Sequence, residues 1–495
     1  MSEIMKKNIY ISTIFILTII FSFGCKKITD INVSPNNPPL SKATPQVLFP
    51  SGVAASAGMI GGELNILGAI WSQYYTQNNL ANQYRNIDSY NLTKEDLNND
   101  YSVLFAGALE DYQLAITQSK ANQQWSFFLM NTVMKAYTYE VLVDLYDMVP
   151  YSQAFMGQAN TQPKFDDGHT IYDALIAEID FALTQNYNVA LNAGDASTDF
   201  LFAGDMTKWA EFAHTLELKM YLRMAKNYPS EAQAGVQKLY ANPDFLSVDA
   251  GMNNFVNQPS LDNPFYEYNI RSLNTTTNLR ASTTFVSFLE NTQDPRVISY
   301  FGVANPISIN QGDFNNTTNS TYANAVSPLQ TPLDPVWFIS AAESYFLQAE
   351  ALVRYYGGGA PAQAAYVAGV TASFAANNVT STNAVTFINN STDPNVNWAL
   401  STNKIQTIIV QKWVSLAQGC HALEAFFDQS RTGYPLNSPV YSTSVLYVPG
   451  QWVYAANGVT SGLFPKRLVF PAVETERNKN TPPQVPITTP VWWAK

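Results

Sequence analysis

Cysteine is nearly absent: Cys25 and Cys420 are the only two in 495 residues. No disulfide framework can form from them, so the fold has to stand on its hydrophobic core. Histidine is almost as scarce. His169, His214 and His421 lie far apart, and no two of them are spaced four apart on a helix as a zinc pair would be, so no metal site is expected. Charged residues make up 13% of the chain, against about 25% in an average domain. No run of Lys or Arg exceeds two residues and the formal net charge is −11, which excludes nucleic acid as a partner because phosphate backbones call for clustered cations. A membrane-spanning run is also missing. Ile9 to Gly24 gives 16 uncharged residues, short of the roughly 20 that a bilayer-crossing helix needs.

That short run, after Lys6 and Lys7 and ending in "FSFGC", has the layout of a removed secretory signal. The cysteine after a small residue resembles a bacterial lipobox, in which the thiol is acylated and becomes the mature N-terminus. Residues 1–24 are expected to be a lipoprotein-type signal peptide, Cys25 the lipidated residue, and residues up to 45 a polar tether; an ordinary signal with an incidental cysteine is the alternative. Removing residues 1–24, with Glu3, Lys6 and Lys7, takes one positive charge from −11 and leaves −12. Residues 46–495 show no linker or shift in composition and are expected to form one body.

What is abundant is aromatic surface and neutral polar surface. Phe, Trp and Tyr reach 13%, and the loops are crowded with Asn, Thr, Ser and Gln, a composition suited to neutral polar ligands such as sugars. Apolar residues recur at helical steps over 101–119 and 125–146, which a short polar turn would join into a helical hairpin. Three more candidate pairs follow at 170–185 with 208–228, 337–356 with 361–377, and 404–419 with 421–433. The fold class is therefore mainly α, a degenerate array of tetratricopeptide-like hairpins with few short strands. Residues 243–335 carry Pro, Asn and Thr around one helix at 282–290, and the chain beyond Pro435 reads as irregular. Aromatics there, Phe265, Tyr266, Tyr268, Tyr322 and Trp452 among them, favour ordered loops facing a ligand.

Six stretches, in order, resemble the SusD/RagB family of nutrient-binding outer-membrane lipoproteins. They are "LVDLYDMVPYSQAF" (142–155), "WAEFAHTLELKMYLRMA" (209–225), "TQDPR" (292–296), "SAAESYFLQAEAL" (340–352), "QKWVSLAQGCHALEAFFDQSRTGYP" (411–435) and "FPKRLVFPAVE" (464–474). The resemblance implies a helical scaffold under ligand-binding loops, anchored by lipid to the outer membrane of a Bacteroidetes-type cell. It further implies that the protein captures oligosaccharides, or in some members peptides, for a SusC-like TonB-dependent transporter, with no catalysis and no cofactor. Lys26 and Lys27 follow the cysteine where many surface-exposed lipoproteins of that phylum carry acids, so surface exposure is implied by the family and not by the export signal.

Machinery for catalysis is hard to find. Glycoside hydrolysis needs two carboxyl groups about 5–10 Å apart. Asp144 with Asp147, or Glu343 with Glu350, could supply them, but such carboxylates more often cap helices or pair with arginines. Gly357–Gly359 lacks the Lys-Ser/Thr of a phosphate loop and reads as a turn. Asp residues near Pro150 and the Arg431–Pro435 segment read as helix-ending devices, with Gly433 a left-handed terminator and Arg431 bonding the last carbonyls. A sugar site wants aromatic platforms rimmed by amides or arginine. The candidates are Tyr266, Tyr268 and Arg271 in one segment, and Trp71, Tyr74, Tyr75 and Tyr84, with Gln73 and Asn78, in another. Trp71, Tyr74 and Tyr75 also share i, i+3, i+4 spacing, which a buried helical stripe explains equally well.

Overall fold

The computed structural model describes residues 43–379 and 381–495. The signal segment, Cys25 and the tether up to residue 42 lie outside the described residues. Helix α1 (Pro45–Ile60) opens on a proline in its first turn and is followed by α2 (Glu63–Trp71). The scaffold then builds from α3 (Glu110–Ala121), α4 (Trp125–Tyr146), α5 (Gly168–Leu183), α6 (Met206–Met224) and α7 (Pro229–Tyr240). It continues with α8 (Thr283–Thr292), α9 (Ala341–Tyr355), α10 (Gly359–Ala376), α11 (Lys404–Ser415) and α12 (Leu423–Thr432). Every residue of α4 from Ser126 to Tyr146 is buried, because α3, α5 and α6 all pack on it; a helix enclosed on all sides belongs to the centre of the array. One core cluster runs from Phe49 to Ala494, and a smaller one gathers α9, α10 and α11 around Phe346, Tyr366 and Ile408.

Most helix positions follow the periodicity, and α4 coincides with its expected span. The pairing needs correction. Short turns join α3 to α4, α6 to α7, and α9 to α10, but α7 was not expected, and α6 packs chiefly on α7 and α4, not on α5. Helix α12 packs chiefly on α2, not on α11. The segment 337–340 is not helical either: strand Val336–Ile339 comes first, and Ser340 caps α9 by accepting from the Glu343 backbone N–H at 3.1 Å. At the triglycine, Gly357, Gly358 and Gly359 all have φ near +70° (72°, 71° and 73°), so the turn reading holds.

Among the described residues six short strands make three antiparallel pairs: β1 (Tyr75–Gln77) with β5 (Leu279–Ala281), β2 (Met148–Pro150) with β3 (Phe165–Asp167), and β4 (Ala250–Met252) with β6 (Val336–Ile339). β1 and β5 tie the start of the chain to the 243–335 segment. Within that segment Arg296 is fully buried. It holds Asp294 by Nε–Oδ1 at 2.9 Å and Nη2–Oδ2 at 2.5 Å, and reaches Ser373 after α10's midpoint and Gln411 on α11 at 2.9 and 2.8 Å. The Asp-Pro-Arg motif thus fastens a loop to two helices.

The other matched motifs meet in a buried ion network. Arg223 on α6 contacts Asp144 and Glu140 on α4 at 2.9 and 3.0 Å and Glu424 on α12 at 2.7 Å. Lys219 adds Glu140 at 2.9 Å, and Lys412 on α11 adds Glu424 and Asp428 at 3.0 Å each and Glu343 on α9 at 3.5 Å. Arg431 pairs with Glu350 and Asp428, which corrects its expected role of capping carbonyls; Gly433, at φ +78°, does end α12 as a left-handed residue. Asp147 likewise works at the end of α4, where it accepts from the Trp492 backbone N–H at 2.5 Å and from Arg467 at 3.2 Å.

Candidate ligand-binding cleft

A cleft of about 250 Å³ opens where α2, β1, the 262–272 segment, the 329–335 loop and the α11–α12 corner converge. Its aromatic wall is Tyr75, Phe265 and Tyr300. The Tyr75 and Phe265 rings lie 6.2 Å apart at 28°. The lining also holds the amides Asn65, Gln330, Asn377, Asn378 and Gln418. Three of these keep unused hydrogen-bonding capacity: Gln330 Nε2, Asn377 Oδ1 and Gln418 Oε1 have no partner. The scaffold explains the placement. Arg296 fixes the segment bearing Tyr300, whose hydroxyl donates to the Val414 carbonyl at 2.8 Å, and Lys412 with Glu424 holds the corner that carries Gln418.

The cleft's chemistry is neutral. Burial pushes the Tyr75 phenol well above its ordinary range and the Cys420 thiol up to about 12, so neither ionises near pH 7 and Cys420 is not a nucleophile. Asp334 is the one carboxylate in the lining, and it is engaged by the Thr331 backbone N–H at 2.8 Å and hydroxyl at 2.6 Å. A two-carboxylate hydrolysis would need a second group beside it. Asp144, Asp147, Glu343 and Glu350 stand elsewhere, inside the ion-paired scaffold.

Of the expected binding residues, Tyr75 lines this cleft. Tyr268 lines a second, more apolar cleft of about 560 Å³ with Met59, Phe255 and Leu261; it reaches there because a Cβ on Gly62 would meet its ring at 2.8 Å. Tyr266 and Arg271 sit on the segment between the two clefts. The Arg271 guanidinium lies 5.4 Å from the Tyr266 ring centre and is held by Asp262 at 2.5 Å. Trp71, Tyr74, Tyr75 and Tyr84 all need correction as exposed platforms, because each is buried in the main core, Tyr75 included at 4% exposure. Trp71 donates to the Ile87 carbonyl at 3.0 Å and Tyr74 stacks on Trp413 at 5.8 Å. The burial half of the stripe reading holds but the helical half does not, since α2 ends at Trp71 and Tyr75 already opens β1. Tyr322 and Trp452 are buried too, and Gln73 and Asn78 are spent on backbone bonds to Val453 and Thr277. Asn65, Tyr300, Gln330, Asn377 and Gln418 escaped the sequence reading, since each comes from a separate segment.

A helical scaffold that pairs its buried charges with one another and opens a neutral, amide-rich cleft among its loops defines a ligand-binding protein of the tetratricopeptide-like class. A family model, SusD-like_2, described as "Starch-binding associating with outer membrane", matches residues 47–446, and the chain belongs to this SusD/RagB family. Among solved structures it is similar to a SusD homolog from Bacteroides uniformis, at 21% identity over 90% of this chain and 99% of that one, TM-score 0.73. It is also similar to a chitin-binding SusD homolog from Flavobacterium johnsoniae, at 22% identity over 90% and 98%, TM-score 0.72. A SusD/RagB family protein from Bacteroides thetaiotaomicron matches at 20% identity over 91% and 99%, TM-score 0.72. These likenesses establish the fold. Among curated proteins, no relative matches.

Proposed function

We propose that this protein captures oligosaccharides at the outer membrane without cleaving them and passes them to a SusC-type TonB-dependent transporter. The observation that carries this reading is the neutral lining of the cleft: five amide side chains gathered with the aromatic wall of Tyr75, Phe265 and Tyr300, and a single, already engaged carboxylate. The family description and a chitin-binding structural relative support a glycan ligand. Apolar side chains exposed on the C-terminal loops, Val445, Leu446, Val448 and Leu463 among them, support docking on a larger partner. Calorimetric titration with starch-derived and chitin-derived oligosaccharides and with peptides should give at least one saturable ligand recovered intact. Release of products from a stable oligosaccharide would overturn the reading.

The anchor belongs to the same proposal. Cys25 carries the lipid, the protein faces outward, and Cys25→Ala leaves a folded, ligand-competent chain that no longer sediments with membranes. Membrane retention of that variant in cells lacking the transporter would overturn the lipid anchor alone and leave the binding reading standing.

A further inference from the structure

Far from the cleft in sequence, α5 and α7 bring together three side chains that the capture of sugars does not use. We propose that His169, Asp173 and Glu231 form a binding site for a divalent transition-metal ion of the Zn²⁺ type. His169 Nε2 lies 2.8 Å from Glu231 Oε2 and 3.7 Å from Asp173 Oδ1, and one ligand atom from each residue falls within 4.8 Å of the others. Ligands around tetrahedral zinc, with metal bonds near 2.0–2.2 Å, stand about 3.4 Å apart. The observed separations bracket that value, so small side-chain movements would admit an ion. Imidazole with two carboxylates favours zinc-like ions over Mg²⁺ or Ca²⁺, which prefer oxygen alone.

Two further features set this group apart from an ordinary surface cluster. No Lys or Arg pairs with Asp173 or Glu231 among the described residues, so two carboxylates lie together with only an imidazole to offset them. The imidazole is also held in place. The Tyr228 ring stacks on it at 3.8 Å and 12°, and Trp492 lies against it at 5.5 Å. A tetrahedral ion held by these three residues would keep its fourth position for a water or anion. The half-exposed Asp173 leaves room for it. An ion there would fasten the start of α5 to the start of α7.

The test uses tag-free protein stripped with a chelator and titrated with Co²⁺, followed by competition with Zn²⁺ and Mg²⁺. The expected result is saturable binding near one ion per chain, a Co²⁺ visible spectrum of low coordination number, displacement by Zn²⁺ but not by Mg²⁺, and a higher melting temperature with metal. His169→Ala and Glu231→Gln should each weaken binding by about tenfold or more and remove the metal-dependent rise in melting temperature, while melting in chelator stays close to wild type. Absence of saturable binding, or affinity unchanged in both variants, would overturn the site without touching the sugar-binding reading.

Discussion

Arg431 and Glu350, 81 positions apart, meet in the interior as a two-point ion pair, Nη1 to Oε1 at 2.6 Å and Nη2 to Oε2 at 2.5 Å. The pair joins α12 to α9. Arg354 closes on the same carboxylate at 2.7 Å, and Asp428 holds Arg431 from the other side. Removing one partner strands the other in a medium that solvates it poorly. Glu350→Gln is therefore expected to destabilise the protein by about 3–5 kcal/mol, read as a lower midpoint in urea with an unchanged slope. A loss below 1 kcal/mol would mean that the arginine finds water instead.

The same pair sets a sensitivity to acid. Against the opposing cost of burial, Arg431 and Arg354 pull the Glu350 carboxyl down to about 2 from 4.5. A lowered folded-state value gives stability that is full above pH 4.5 and lost as pH falls toward 2. The contribution is on the order of 3 kcal/mol. Between those limits the wild type should lose stability more steeply than Glu350→Gln, so that the two unfolding midpoints converge in acid.

Glu217 on α6 behaves in the opposite sense. Burial, reinforced by Asp180, pushes its carboxyl up to about 8. A raised folded-state value means that stability is full below the unfolded value near 4.5 and is lost as pH rises toward 8. Glu217→Gln keeps the neutral shape and removes the ionisation. The variant should match wild type at pH 4.5 and exceed it at pH 9 by on the order of 5 kcal/mol. Equal midpoints for both proteins across that range would show that Glu217 ionises freely in the folded state.

These charges also show what a linear reading can recover. Helices α4, α6 and α9 were legible because their apolar residues recur with the helical period, and the motifs that carry Glu350, Lys412 and Arg431 were legible as conserved-looking patterns of a family. Their mutual pairing was not, since it depends on which helix lies against which. Helix α7 was missed because most of its length is polar, with only Ala232, Gly235, Val236 and Leu239 buried. The cleft was harder still. Tyr75 shares its spacing with the core residues Trp71 and Tyr74, but α2 ends at Trp71 and Tyr75 lies in β1, so that spacing could not tell which ring reaches the cleft. Asn377 and Asn378 look like ordinary helix-ending residues, and nothing near them in sequence signals that they will share a cleft with Gln330 and Gln418.

That distinction gives a direct test of where the ligand sits. Gln330 and Gln418 line the cleft, whereas Tyr266 and Arg271 belong to the 262–272 segment without lining either cleft. Gln330→Ala and Gln418→Ala should each lower affinity for the glycan found by calorimetry by about 1 kcal/mol, roughly fivefold. Melting temperatures should move little, because the Gln330 side chain gives up only one long bond, from Asn269 at 3.4 Å. Trp71→Ala should do the reverse, costing about 3–5 kcal/mol of stability while the fraction that remains folded binds nearly as well. If Tyr266→Ala and Arg271→Ala abolish binding and the two glutamine variants leave it intact, the ligand lies across the 262–272 segment and the cleft is only its neighbour.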